Sequence, residues 1–211
     1  VDYHFQPIVS AHDGHVVAYE ALMRPQLPTL RSPLTVMQLA SEMGRLYDIE
    51  KLTFFRACEC YEELEAAGKL DADALIFVNS IASVSLSNED WASYCEAHSA
   101  ILPKLVVEIT EEEEMNEREL ERKRNVPGSS GVFALDDYGS GYSNGNSLLT
   151  IAPKYVKVDI AIIRGIDTDA DKQQFLMTLI DYAHPRGVQV LAEGVETLSE
   201  LRKVLEMGVD L

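Results

Sequence analysis

Six short apolar runs recur along the chain, and longer stretches with helical spacing separate them. The runs are VVAYEALMR (16–24), ALIFVNS (74–80), KLVVEIT (104–110), GVFALDD (131–137), KYVKVDI (154–160) and VQVLAE (188–193). Helical patterns cover 34–68, 171–187 (DKQQFLMTLIDYAHPRG) and 198–208 (LSELRKVLEMG). Continuous apolar strands that alternate with amphipathic helices predict a parallel sheet covered by helices. No linker or low-complexity segment divides the chain, so residues 1–211 read as one domain.

The runs share a type of ending. IFVN stops at Asn79, LVVE at Glu108, FALDD at Asp136 and Asp137, YVKVD at Lys157 and Asp159, and VLAE at Glu193. Five successive strands that end in polar or charged side chains predict convergence on one site. A (β/α)₈ TIM-like barrel places its chemistry at that face. An open doubly wound sheet binds mainly at one switch point and explains five endings less well. Converging carboxylates repel one another unless cations are bound, and their oxygens are hard donors suited to Mg²⁺ or Mn²⁺. The stretch FALDDYGSGYSNGNS (133–147) then makes sense: Asp136 and Asp137 hold metal, and the metal, with the glycine loop, faces a phosphate.

Charge and cysteine content narrow the setting. The chain carries 35 acids against 18 Lys plus Arg, a formal charge of −17, which argues against DNA or RNA as a partner. No apolar run is long enough to span a membrane, and no signal peptide is visible. The three cysteines, Cys58, Cys60 and Cys95, are expected to be free thiols, consistent with a reducing cytoplasm. The opening VDYHFQPIVS lacks Met, so the chain is expected to be the cytoplasmic part of a longer signalling protein.

In this order, the motifs resemble those of the EAL-domain cyclic di-GMP phosphodiesterases. They are Glu20-Ala21-Leu22 after FQPIV, Glu108-Ile109-Thr110-Glu111, DDYGSGYS from Asp136, KVD from Lys157, and AEGVET from Ala192. The resemblance spans the whole chain. It implies the EAL-type barrel, with an eighth strand carrying Gln-Gly and a last helix that the residues through Leu211 do not include. It also implies hydrolysis of cyclic di-GMP to linear pGpG and two bound ions. The loop departs from the family pattern at Asn144, Gly145 and Asn146.

By the same resemblance, Glu20, Asn79, Glu108, Asp136 and Asp137 are the metal ligands, and Glu193 is a further ligand or base. Lys157 orients the attacking water. Glu111 and Glu196 brace the glycine loop of Gly139 and Gly141. Arg24 is the candidate for a direct phosphate contact, since a guanidinium forks onto phosphate oxygens. Gln6 and Leu22 touch guanine or ribose. A homodimer and regulatory domains elsewhere in the full-length protein are further implications. The rival reading is a catalytically silent receptor for cyclic di-GMP or a partner protein; the retained ligand positions favour the enzyme. Blander roles are expected for the rest. Asp159 caps the next segment, His184 ends a helix, Trp91 and Tyr94 pack, and Glu112, Glu113 and Glu114 open a solvated helix after Thr110.

Overall fold

The computed structural model describes residues 1–27, 32–110, 116–140 and 146–211. They fall into two compact units, one of residues 1–8, 16–108 and 113–132, the other of 9–15, 109–112 and 133–211.

In the first unit, strands β1 (Asp2–Val9), β2 (Val16–Arg24), β3 (Leu75–Asn79) and β4 (Leu105–Thr110) follow one another in the sheet. The β2–β3 and β3–β4 pairings are parallel. Ile76, Phe77 and Val78 are fully buried, as are most residues of β4, which is why both runs read as continuous apolar stretches. Strand β1 lies outside the six expected runs. Its Pro7 lacks an N–H, and its polar His4 and Gln6 interrupt the apolar pattern.

Four helices accompany these strands: α1 (Pro33–Glu42), α2 (Leu46–Ala66), α3 (Asn88–Ala97) and α4 (Glu117–Arg124). The single helical pattern expected over 34–68 is two helices. Gly44, at φ +64°, lies between them in a left-handed conformation that ends α1. Helix α3 was not anticipated; the Ser87 side chain caps it by accepting from the Asp90 N–H. Trp91 and Tyr94 pack as expected, with ring centroids 5.1 and 5.6 Å from that of Phe54. Helix α4 is capped by Asn116. The acids Glu112, Glu113 and Glu114, expected in a first turn, lie outside the described residues. All three cysteines are free.

The second unit holds β5 (Val132–Tyr138), β6 (Tyr155–Val158) and β7 (Gln189–Ala192), with β6 central and parallel to both neighbours. Its helices are α5 (Asn146–Ile151), α6 (Ile160–Ile163), α7 (Ala170–Ala183) and α8 (Leu198–Met207). Asp159 caps α6 by accepting from the Ala161 N–H at 2.7 Å, as expected. His184 closes α7 and its Nε2 lies 3.1 Å from Asp210. Among the described residues, no helix is long and apolar enough to cross a membrane.

Buried Glu200 organises the connections around β7. Its carboxylate accepts from the N–H groups of Gly165 (2.8 Å), Glu196 (3.0 Å) and Thr197 (3.0 Å), and the Thr197 hydroxyl oxygen in turn accepts from the Glu200 N–H. These donors hold its carboxyl down at about 2, against an ordinary value of 4.5. The folded state therefore binds fewer protons than the unfolded one as acid is added. This contribution is complete above pH 4.5 and is lost as pH falls toward about 2. Thermal unfolding across that range should show a shallower loss of Tm for Glu200→Gln than for wild type. Parallel profiles would mean that Glu200 is not linked to acid unfolding.

Candidate active site

Two adjacent residues of a regular strand point to opposite faces, so Asp136 and Asp137 could not ordinarily serve one site. The structure resolves this locally. The register of β5 against β6 shifts between Leu135 and Tyr138, and Asp137 adopts φ 55°, a left-handed conformation that Asp tolerates better than most residues. The Asp137 N–H donates to Asp136 Oδ1 at 3.0 Å. As a result, oxygens of Asp136, Asp137 and Glu193 all lie within 4.8 Å of one another.

Lys157 sits among them. It projects from the central strand β6 and is 1% exposed. Its Nζ lies 2.9 Å from Asp136 Oδ1 and 2.9 Å from Glu193 Oε1. An ammonium buried between two carboxylates is held by charge-assisted bonds, so Lys157 does not snorkel to solvent. Three carboxylates against one ammonium leave the cluster net negative, which suits a cation with oxygen ligands.

The turn that follows is tightly built. Gly139 has φ +97°, and a Cβ there would come within 2.7 Å of Ile162 Cγ1 and 3.3 Å of Phe175 Cε1. The Tyr138 and Phe175 rings lie 5.9 Å apart beside it. Gly141, the second glycine expected to matter, lies outside the described residues, as does Glu111. Glu196 is exposed and pairs with Arg164 at 2.5 Å, which holds its carboxyl below the usual range.

The first unit brings together a second set of donors at its own strand ends. Asn79, closing β3, is in register with Glu108 on β4, and its Nδ2 donates to Glu108 Oε2 at 3.0 Å. Glu108 is 1% exposed, and one of its oxygens lies within 4.8 Å of one from Glu20 on β2. Gln6 is exposed on β1. Leu22 and Arg24 are half-buried at the end of β2, where Arg24 Nη1 donates to the Met23 carbonyl at 2.9 Å. In both units the donors are crowded oxygens, so the residues present fit a hard divalent cation.

Three charged residues beside these strands escaped the sequence reading. Glu200 carried a signal, because T-L-S-E before an apolar helix face is a capping-box pattern. Glu50 and Lys123 carried little, since each stands in a helix that reads as solvated.

The EAL domain profile matches residues 1–211. The probable cyclic di-GMP phosphodiesterase PdeG of Escherichia coli is 27% identical over 204 residues, 93% of this chain and 40% of that protein. The cyclic di-GMP phosphodiesterase NbdA of Pseudomonas aeruginosa is 29% identical over 220 residues, 100% of this chain and 28% of that protein. The chain thus spans less than half the length of either relative. Among solved structures, the manganese and cyclic di-GMP complex of BlrP1 from Klebsiella pneumoniae matches with a TM-score of 0.82 at 24% identity, covering 99% of this chain and 53% of that one. A standalone EAL protein from Vibrio cholerae, bound to cyclic di-GMP, matches with a TM-score of 0.79 at 25% identity, covering 99% of this chain and 87% of that one. The fold is the TIM-like barrel of the EAL domains, as the strand endings predict. Seven strands are present among the described residues.

Gly139→Ala should shift the urea midpoint by an amount equivalent to a loss of about 1–3 kcal/mol, because it adds a close contact to an unfavourable φ. An unchanged midpoint would show that the turn after Asp137 adapts freely.

Proposed function

The chain belongs to the EAL domain family, and from that footing we propose that it hydrolyses one phosphodiester bond of cyclic di-GMP to give linear pGpG, using Mg²⁺ or Mn²⁺. The observation that carries this reading is the Asp136–Asp137–Glu193 cluster with Lys157 buried in it. A solvated acidic surface has no need of a β-bulge, a left-handed Asp and a desolvated ammonium. Relatives named as cyclic di-GMP phosphodiesterases and a manganese complex among similar folds support the same reading.

In this reading Glu20, Asn79, Glu108, Asp136 and Asp137 would hold two cations. Such ions lower the pKa of water and offset charge on a phosphodiester. The protein groups do the rest. Glu193 takes a proton from the attacking water, whose oxygen forms the new bond to phosphorus. The bond from phosphorus to one ribose oxygen breaks, and that oxygen leaves with a proton. Lys157 aligns the water and meets negative charge as it grows on the phosphoryl oxygens. Arg24 clamps a phosphate, while Gln6 and Leu22 contact guanine or ribose. Glu111, Glu196, Gly139 and Gly141 keep the loop in place. The same reading extends to a cytoplasmic setting, regulatory domains in a longer protein and a homodimer.

Lys157→Ala separates enzyme from receptor. Interactions confined to the transition state govern kcat more than ground-state affinity, and a well-placed donor is typically worth about 10²–10³-fold. Calorimetry in Ca²⁺ should therefore find cyclic di-GMP affinity close to wild type, while product analysis in Mn²⁺ finds pGpG formation reduced by that factor. A wild-type protein that binds cyclic di-GMP in Mn²⁺ and releases no pGpG would establish the receptor reading instead.

A further inference from the structure

A deeply buried ion pair of the first unit lies beside one of its candidate ligands. Lys123 of α4 and Glu50 of α2 approach to 2.5 Å, with side chains 0% and 1% exposed. The Lys123 ammonium donates to three acceptors: Glu50 Oε1 at 2.5 Å, Ser80 Oγ at 2.5 Å and the Ile81 carbonyl at 2.7 Å. Glu50 is equally engaged. It accepts from the Ser80 hydroxyl at 2.7 Å and from the Ile81 N–H at 2.9 Å.

Stability alone does not account for this arrangement. A buried ion pair repays its desolvation poorly, and apolar residues of similar size often serve as well or better. What the pair does accomplish is directional. Ser80 and Ile81 are the two residues immediately after Asn79, and their backbone and hydroxyl groups are gripped from both sides. The Ser80 N–H also donates to the Glu108 carbonyl at 2.9 Å. The segment that fixes the end of β3 is thereby tied to β4 at the residue whose carboxylate receives the Asn79 amide. Helices α2 and α4 supply the two charges, so two elements distant in sequence hold the segment that follows Asn79.

We propose that Glu50 and Lys123 are positioning residues for the Asn79–Glu108 pair, presetting it for a divalent cation. The inference rests on the metal-centre reading given above. Groups that orient metal ligands from outside the coordination sphere typically contribute about 10–100-fold to affinity or activity.

The test replaces the pair in the full chain with Glu50→Met together with Lys123→Met, which preserves volume and removes both charges. Thermal unfolding should give a Tm at or above wild type. Hydrogen exchange at the Ile81 N–H should speed up by more than global stability explains. Mn²⁺ affinity, measured calorimetrically without substrate, should fall by about 10–100-fold. Unchanged Mn²⁺ affinity in a folded double variant, with wild type binding normally, would overturn the inference alone. A wild-type chain that does not bind Mn²⁺ would overturn the metal-centre reading and this inference with it. Should the double variant fail to fold, Ser80→Ala removes only the hydroxyl shared by both charges, and the same two outcomes apply to it.

Discussion

The Lys157 ammonium is the constraint on which the candidate site turns. Three carboxylates crowded at the end of a buried parallel sheet need counter-charge; Lys157 supplies part of it from the central strand of its unit, and the negative charge that remains suits a cation. Its place on β6 is dictated by pattern: Tyr155, Val156 and Val158 around it are buried, so the strand must be interior and the lysine with it. Once buried, the charge has to be paired, and the flanking strands present Asp136 and Glu193 to do so. The bulge in β5 and the left-handed Asp137 add a third carboxylate that a regular strand would turn away.

A comparable logic runs through the first unit with different parts. Asn79 and Glu108 bond to each other, and the backbone beyond Asn79 is clamped by a pair of charges from α2 and α4. In the second unit Glu200 works in the same style on the far side of Glu193, gathering three backbone N–H groups into one carboxylate. Glu50 and Lys123 in one unit and Glu200 in the other are buried charged side chains that direct backbone.

Much of this was legible in the sequence, and the limits have physical causes. Strands β3, β4, β5 and β6 were readable because parallel strands buried on both faces are continuous apolar runs, although β4 continues past Glu108 to Thr110 and β5 past Asp137 to Tyr138. Strand β1 was not, because Pro7 and its polar neighbours break that pattern. The long helical pattern hid a division at Gly44, whose neighbours keep helical spacing on both sides. The bulge at Asp136–Asp137 leaves no mark beyond the doubled acid itself. Lys123 sits in ERELERKR, where every cue suggests a solvated helix, and only its position three residues after buried Leu120 hints that it faces inward. Pairing a buried charge depends on residues far apart in sequence, and no periodicity reports it.

The account stands or falls on whether these carboxylates serve cation-assisted attack of water on a phosphodiester. The most direct measurement incubates the wild-type chain with cyclic di-GMP and Mn²⁺ in heavy-oxygen water and weighs the products by mass spectrometry. The account predicts linear pGpG carrying one heavy oxygen on its terminal phosphate, and no product once Mn²⁺ is chelated. Cleavage that persists undiminished after chelation, or intact cyclic di-GMP throughout, would contradict it.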